Sequence, residues 1–258
     1  MDRAWQWVVD DPAARVGVTT SRRELTTSTV VIVDRQALIV DPAWEPDELA
    51  GIAADLARAG ATVAAGFATH AHHDHVLWHP DLGAGPRFAS PCVARICTGD
   101  RDEIVRRLGP DWPADLGHLV GRVRPARDRL CWAGAETRLI THDAHSPGHT
   151  AVWLPAHGAL VAGDMLSDVE IPLLEESTAG RYAAGLIALW PYVDAAAVLI
   201  PGHGRVAIGG DAARGRWHAD RAYLDALLAG RDPDDPRLAD PGMAQAHADN
   251  VARNTPGR

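Results

Sequence analysis

Four candidate metal ligands, His70, His72, Asp74 and His75, stand within six residues of the sequence. They directly follow Thr62–Phe67, an apolar run that is typical of a buried strand. In an extended chain His70 and His72 point to the same side, because side-chain direction repeats every two residues. That pair can occupy two positions around one metal ion, and Asp74 and His75 on the following turn can then face a second one. The segment predicts a metal site at the end of a buried strand.

Three later segments each place one further ligand at the end of a predicted strand, within a glycine-containing turn. These ligands are His149 in His145-Ser146-Pro147-Gly148-His149, Asp164 in Val161-Ala162-Gly163-Asp164 and His203 in Pro201-Gly202-His203-Gly204. A surface run of histidines would explain neither the embedded carboxylate Asp74 nor these later ligands. Imidazole and carboxylate suit zinc, manganese or iron(II), and the lack of thiolates argues against a closed structural zinc site.

The remaining sequence predicts an α/β layered sandwich, because short β-branched runs alternate with Ala/Leu-rich helical stretches. The predicted strands are Ser28–Val33, Gln36–Val40, Thr62–Phe67, Thr137–Thr141, Thr150–Leu154, Ala159–Ala162 and Val198–Ile200. The predicted helices are Pro46–Ala59, Ser90–Arg107, Ala179–Tyr192 and Asp211–Ala229. We expect one domain over residues 1–230, followed by a tail over 231–258 that is loosely ordered or forms a short helix.

The amino-acid composition argues against several other functional classes. All 25 basic residues are arginine, which excludes a Schiff-base lysine, a pyridoxal-phosphate anchor and a P-loop. The formal charge of -9 argues against nucleic acid as a partner. Cys92, Cys97 and Cys131 include no Cys-x-x-Cys pair and are expected to be reduced thiols. Neither a membrane-spanning apolar stretch nor a secretory signal is evident, so we expect a cytoplasmic protein that acts on a small molecule.

The ligand pattern His70-x-His72-x-Asp74-His75, followed by His149, Asp164 and His203, resembles the motif set of the metallo-β-lactamase superfamily. Asp41 matches the first motif, and the resemblance extends from about Val30 to Gly204. It implies a four-layer αββα sandwich with the metals at one edge of its two sheets. An aspartate, rather than a cysteine, at the bridging position is more similar to the glyoxalase II and lactonase-like branches than to the classical β-lactamases.

The resemblance also implies a role for each of these residues. His70, His72 and His149 would bind one metal, Asp74, His75 and His203 would bind the other, and Asp164 would bridge the two. Asp41 would accept hydrogen bonds that fix the orientation of a ligand. His73 occupies a variable position and is not assigned to a metal. The expected cofactor is two Zn²⁺ per chain, with iron or manganese as alternatives.

Such a centre would be a dinuclear hydrolase that adds a bridging hydroxide to a small ester, thioester or lactone-type carbonyl, with Asp74 and Asp164 as catalytic residues. Three alternatives remain open from the sequence. One is an iron enzyme resembling persulfide dioxygenases, with a single iron on His70, His149 and Asp164. The others are a cyclase or thioesterase of a secondary-metabolite pathway and a non-catalytic binding module.

Two segments between the motifs are candidates for shaping a substrate pocket. The stretch from His75 to His149 is rich in arginine and could hold an anionic thiol carrier or a carboxylate, although a solvated surface is the simpler interpretation. Its arginines and tryptophans are Trp78, Arg87, Arg106, Arg107, Trp112, Arg122, Arg124, Arg127, Arg129 and Trp132. The second candidate wall is Met165–Glu176, whose run Ile171-Pro172-Leu173-Leu174 could face an acyl group or pack beneath the following helix.

Overall fold

A computed structural model describes residues 5–11, 14–132 and 134–254, which form two β-sheets with helices on their outer faces. The first sheet contains seven strands in chain order: β1 (Gln6–Asp11), β2 (Ala14–Thr20), β3 (Thr27–Val33), β4 (Gln36–Val40), β5 (Thr62–Phe67), β6 (Arg87–Ala89) and β7 (Arg124–Pro125). The second contains five: β8 (Arg138–Thr141), β9 (Thr150–Leu154), β10 (Ala159–Gly163), β11 (Val198–Pro201) and β12 (Ala207–Ile208).

The α-helices of the described residues are α1 (Pro46–Arg58), α2 (Pro91–Gly99), α3 (Arg101–Arg107), α4 (Ala114–Gly117), α5 (Ala179–Ala195), α6 (Gly210–Leu228) and α7 (Pro241–Asn254). Short 3-10 turns cover Pro80–Leu82, Pro155–His157 and Pro236–Ala239. Within the described ranges, no helix combines the length and the apolar character needed to cross a bilayer.

The central strands of the first sheet are buried on both faces, because they separate two apolar layers. On β4, Leu38 and Val40 pack between the sheets, whereas Ile39 points outward against Ile52 of α1. This alternation follows from the two-residue period of a strand. A strand that is covered on both sides is apolar throughout, which is why the sequence pattern identified it.

The second sheet likewise has one face toward the other sheet and the opposite face toward helices. Val152 and Val161 face the first sheet, whereas Trp153 and Leu160 pack with Leu186 of α5 in the outer layer. The layers therefore run helix, sheet, sheet, helix. The predicted αββα sandwich is confirmed.

The topology brings several strand ends to one edge of the sandwich. β4 pairs in parallel with β5, and β10 pairs in parallel with β11, so the carboxyl ends of each pair lie together. Three backbone hydrogen bonds tie the sheets at this edge: Thr150 N–H donates to the Thr69 carbonyl (2.9 Å), Thr27 N–H to the Gly202 carbonyl (2.7 Å) and Gly204 N–H to the Leu25 carbonyl (3.0 Å). The residues that follow these strand ends are the predicted ligands.

Several local predictions differ from the structure: the short elements β6, β7, β12 and α4 were not predicted, and two larger differences have a clear physical reason. Strands β1 and β2 were not expected; they extend the first sheet beyond β3 by antiparallel pairing, which depends on residues distant in sequence. The single helix predicted over Ser90–Arg107 is two helices, because Asp100 has φ -112° and interrupts the helical path after Gly99. Glycine is a weak helix former, so the break falls at a residue pair of low helix propensity.

Downstream of Gly230, where the sequence predicts a loose tail or a short helix, the chain packs against the second sheet's helices. Arg237 is buried and pairs with Asp220 of α6 (2.6 Å) and with Asp235 (2.7 Å). Its guanidinium also donates to the carbonyls of Ser167 (3.1 Å) and Glu170 (2.7 Å). We call these contacts the Arg237 clamp; they fix the segment that follows β10.

Candidate metal centre

The candidate ligands come from both sheets and meet at the edge where the sheets are tied. The loop after β5 supplies His70, His72, Asp74 and His75, and the loop between β8 and β9 supplies His145. Asp164 follows β10, and His203 follows β11. Ligands from four separate segments therefore converge because of the two-sheet topology.

Four side chains form a first ligand group, consisting of His70, His72, His145 and Asp164. One ligand atom of each lies within 4.8 Å of the others. His145 Nε2 is 3.2 Å from His72 Nδ1 and 3.5 Å from Asp164 Oδ2. His70 Nε2 is 3.2 Å from the same carboxylate oxygen. The four ligand atoms are therefore close enough together to hold one metal ion.

A second ligand group consists of Asp74, His75 and His203, whose ligand atoms also lie within 4.8 Å of one another. Asp74 Oδ2 is 3.2 Å from His75 Nε2 and 3.3 Å from His203 Nε2. Asp164 lies between the two groups: its Oδ1 is 3.1 Å from His75 Nε2, while its Oδ2 faces His70. One carboxylate thus contacts both groups.

The structure does not place His149 in either group, although the sequence analysis assigned it to the first metal. Its Nε2 accepts a hydrogen bond from the Asp164 backbone N–H (3.1 Å). It is fully buried, and its ring stacks on that of His142. His145, four residues earlier, is the histidine of this turn whose ligand atom lies within the first group. Both histidines flank one Pro-Gly turn, and sequence reasoning selected the one beside the strand.

Asp41, at the end of β4, accepts hydrogen bonds from the ligand-bearing loop. Its carboxylate accepts from Thr69 N–H (2.8 Å) and from Thr69 Oγ1 (2.6 Å), and it lies 3.0 Å from His75 Nδ1. His75 Nδ1 can therefore donate to Asp41, which leaves Nε2 with its lone pair toward the second ligand group.

The loop between β2 and β3 holds the other imidazole of the second group, a role that the sequence analysis missed. His203 Nδ1 lies 2.9 Å from the Glu24 carbonyl oxygen, to which it can donate. Thr26 Oγ1 donates to Asp74 Oδ2 (3.2 Å). No motif marked this loop, because its contacts are made across the sandwich and partly by the backbone.

Burial and nearby carboxylates act against each other on the pKa values of the imidazoles, and at His72 of the first group Glu176 and Asp164 outweigh burial and raise the pKa. Burial lowers the pKa of His70 well below its ordinary value and lowers that of His145 to about 3. Burial also opposes charge on His75, but the carboxylates of Asp164, Asp74 and Asp41 outweigh it and raise its pKa well above the ordinary value. The pKa of His203 is raised in the same way, chiefly because Asp164 and Glu170 outweigh its burial.

The environment of these side chains fits a pair of cations. Buried polar atoms nearly always have hydrogen-bond partners, yet among the described residues His70 Nε2 and Asp164 Oδ1 make only the close contacts given above, which lack hydrogen-bond geometry. Burial opposes ionisation of Asp164, but the surrounding imidazoles, led by His75, lower its pKa well below the ordinary value. A buried carboxylate and imidazole nitrogens that face one space form a donor set suited to zinc, manganese or iron.

A cleft of about 170 Å³ opens above the two groups. Of the arginines predicted as a pocket wall, Arg107 alone lines this cleft, and its guanidinium pairs with Glu103 at 3.3 Å. The second predicted wall does contribute: Leu173 lines the cleft, whereas Ile171 and Leu174 are buried in the core beneath α5. The run Ile171-Pro172-Leu173-Leu174 therefore both lines the cleft, through Leu173, and packs in the core.

Comparison with known families extends over most of the chain. The model of the family described as the metallo-beta-lactamase superfamily matches residues 22–239. A curated hydroxyacylglutathione hydrolase from Synechococcus sp. (strain JA-3-3Ab) is 29% identical over 133 residues, which are 50% of this chain and 44% of that protein. The chain thus matches less than half the length of this relative.

Solved structures share the fold at low sequence identity. A metallo-beta-lactamase family protein from Thermus thermophilus has a TM-score of 0.63 at 21% identity, covering 94% of each chain. A beta-lactamase domain protein from Burkholderia ambifaria has a TM-score of 0.61 at 20% identity, covering 88% of this chain and 75% of that one. An inverting sec-alkylsulfatase from Pseudomonas sp. has a TM-score of 0.63 at 18% identity, covering 86% and 42%. At these identities the likeness concerns the fold alone.

Proposed function

Because the chain belongs to the metallo-β-lactamase superfamily, whose members are metal-dependent hydrolases, we propose that it uses two metal ions to hydrolyse a small ester, thioester or lactone. The observation that carries the proposal is the position of Asp164 between two ligand groups, with one oxygen toward each. The first metal would be held by His70, His72 and His145, and the second by the second ligand group. Asp164 would bridge them.

This assignment replaces His149 with His145. The Nε2 atom of His149 already accepts the Asp164 N–H, so its lone pair is engaged in holding the bridging residue in place. His145 Nε2 instead faces His72 and Asp164. His149 would act as a positioning residue for Asp164, and His145 as the ligand.

Each remaining residue would have a definite task in the reaction. When bound, two divalent cations supply Lewis-acid polarisation of a carbonyl and lower the pKa of a water molecule. Asp74 lines the cleft and receives the Thr26 hydroxyl hydrogen bond on Oδ2. Its carboxylate would orient the attacking water and carry a proton toward the leaving group. Asp41 would keep the His75 ring oriented.

We propose zinc as the metal, since the donors are imidazole and carboxylate without thiolate and zinc binds such sets in open catalytic sites. The one-iron alternative used His149 as a ligand, and the engaged Nε2 of that residue speaks against it. The hydroxyacylglutathione hydrolase similarity supports including a thioester among the candidate substrates.

The test is metal analysis combined with a substrate panel. Protein stripped with chelator and reloaded with zinc should bind two equivalents per chain and cleave at least one ester, thioester or lactone. His118→Ala, at an exposed histidine outside the cleft, is the matched control and should keep both properties. Full zinc loading without hydrolysis across the panel, or no zinc uptake at all, would reject the proposed function.

A further inference from the structure

One side chain gives the cleft above the ligand groups an apolar wall. Among the described residues that line this cleft, Leu173 is the one aliphatic residue, and the others are carboxylates, imidazoles and one arginine. Leu173 is half-buried, whereas Pro172 and Leu174 on either side of it are buried. An apolar group of a substrate in the cleft therefore finds its apolar contact at Leu173.

The backbone around Leu173 belongs to neither a helix nor a strand. Residues 170–174 lie between β10 and α5, without a strand partner or a helical turn to hold their peptide groups. Buried peptide groups outside regular structure need hydrogen-bond partners from elsewhere in the chain. The position of Leu173 therefore depends on the side chains that bind the peptide groups next to it.

One amide on α7 binds both peptide groups that join Leu173 to its neighbours. Asn250 is 3% exposed; its Nδ2 donates to the Pro172 carbonyl (2.7 Å), and its Oδ1 accepts from Leu174 N–H (3.2 Å). Nδ2 also donates to the Tyr223 hydroxyl (2.9 Å). A side-chain amide has two N–H donors and one carbonyl oxygen. Both donors and the oxygen of Asn250 are thus engaged, so its orientation is fixed.

A second asparagine on α7 makes a different contact. The Nδ2 atom of Asn254 donates to the Leu227 carbonyl of α6 (3.3 Å), away from the residues that line the cleft. Asn250 and Asn254 are the same residue type on the same helix, but Asn250 holds the Leu173 segment and Asn254 holds α6. The pair allows the contribution of the wall to be separated from that of the helix.

We propose that the cleft holds the acyl chain of its substrate against Leu173, and that Asn250 is the positioning residue that sets this wall and thereby the preferred acyl length. This inference rests on the proposed function, because it concerns how that hydrolysis distinguishes one acyl group from another. Asn250 acts through the two peptide groups of Leu173. The acyl preference then depends on a helix that follows every metal ligand in the chain.

Two chromogenic esters that differ by two methylenes measure the preference. We offer p-nitrophenyl acetate and p-nitrophenyl butyrate to the zinc-loaded enzyme and divide each kcat/KM by the rate of alkaline hydrolysis of that ester. The butyrate-to-acetate ratio should be about ten, since each buried methylene contributes roughly three- to fourfold. Leu173→Ala should bring the ratio close to one. A ratio near one in the unmodified enzyme would overturn the inference.

Asn250→Ala should lower this ratio to about three or less, because the peptide groups of Leu173 lose their partner and the wall no longer covers the added methylenes. Asn254→Ala removes a like side chain from the same helix and should leave the ratio unchanged. Circular dichroism verifies that both variants are folded. An unchanged ratio in folded Asn250→Ala, or an equal fall in Asn254→Ala, contradicts the inference.

A double variant separates positioning from a general loss of structure. With Leu173→Ala already present, adding Asn250→Ala should not change the ratio further, since the wall on which Asn250 acts is gone. A general loss of structure would instead lower kcat/KM equally for both esters, and that result would reject Asn250 as a positioning residue. If Asn250→Ala does not fold, Asn250→Asp, which keeps an acceptor for Leu174 N–H, takes its place with the same expectations.

Binding of the product carboxylates tests the wall without turnover. Calorimetry on the zinc-loaded protein should find butyrate bound about tenfold more tightly than acetate, and the two bound about equally by Asn250→Ala. If this holds but neither ester is cleaved, hydrolysis of these esters is excluded while the apolar wall stands. If both esters are cleaved at equal corrected rates, the hydrolase proposal stands and the apolar wall does not.

Discussion

The two halves of the metal centre are built from the same residue types but differ in their electrostatics. In the first ligand group, burial lowers the pKa of His70 and His145, whereas Glu176 and Asp164 outweigh burial at His72 and raise its pKa. In the second, the carboxylates around His75 and His203 outweigh burial and raise their pKa values. The difference shows that the surroundings of each imidazole, and not the ligand type, decide whether burial or nearby carboxylates dominate its pKa.

Removing the residue shared by the two halves should have the largest effect. Asp164→Ala deletes the carboxylate that contacts both groups. We expect hydrolysis to fall by roughly 10³-fold or more, because a bridged pair of cations acts as one unit. Zinc content should drop below two equivalents. A variant that keeps two zinc ions and full activity would show that the halves are independent of Asp164.

The next comparison lies within the turn that joins β8 to β9. His145→Ala should remove the zinc equivalent of the first group and lower hydrolysis by about 10²-fold. His149→Ala should keep both zinc ions and instead lower the free energy of unfolding by about 1–3 kcal/mol, since the buried Asp164 N–H loses its acceptor. Zinc analysis and denaturant unfolding of both variants decide the assignment. The reverse pattern would restore His149 as the ligand.

Asp41→Asn should selectively weaken zinc binding by the second ligand group. The amide nitrogen that replaces Oδ2 cannot accept from Thr69 Oγ1 or His75 Nδ1, so the His75 ring loses its fixed orientation. We expect zinc affinity of the second site to fall by about 10–100-fold, with the first site retained. Competition with a zinc-sensitive dye measures the two affinities. Equal weakening of both sites would contradict a role specific to His75.

Glu48→Gln should have the smallest effect of these substitutions. It changes the stability of the β2–β3 loop, which contacts the second ligand group. Burial would raise the pKa of Glu48, but hydrogen bonds from Ser21 and from the backbone of Arg22, Glu45 and Trp44 outweigh it and lower the pKa. A lowered pKa in the folded protein gives stability that is present above the unfolded value, about 4.5, and is lost as the pH falls through the folded value.

We therefore expect Glu48→Gln to destabilise the protein by about 1–2 kcal/mol at pH 7, and the difference from the unmodified protein to shrink below pH 4.5. Urea unfolding at a series of pH values measures it. Glu103→Gln, at an exposed ion pair on α3, is the control and should change stability little. A difference that stays constant down to about pH 3 would exclude the charge of Glu48 as the cause.

The sequence predicted those parts of the site that strand geometry controls. Asp164 and His203 are each the one candidate ligand at the end of a buried strand, and parallel pairing brings such ends together. The sequence analysis assigned His149, and not His145, to the first metal, and side-chain direction in a Pro-Gly turn follows no fixed period that could have tested this choice. The apolar strands β4 and β5 were recognisable, whereas β1 and β2 depend on pairing with partners distant in sequence.

The pocket walls were the least predictable part of the site. The arginines and tryptophans between His75 and His149 were candidates for lining it, but apart from Arg107 they lie outside the cleft. The glutamates that do line it, such as Glu24 and Glu170, are distant in sequence and meet because the β2–β3 loop and the segment after β10 face each other. Residues of a wall share no periodic pattern, so only the folded topology identifies them.

The Arg237 clamp connects the short turn before α7 to a reaction site whose ligands all precede it in the chain. One guanidinium holds the peptide oxygens of Ser167 and Glu170, and the Ser167 hydroxyl donates to the His203 carbonyl (2.8 Å). Engineering at this remote arginine would therefore reshape the entrance while every coordinating side chain stays untouched. Directed evolution of new specificities could begin at this position.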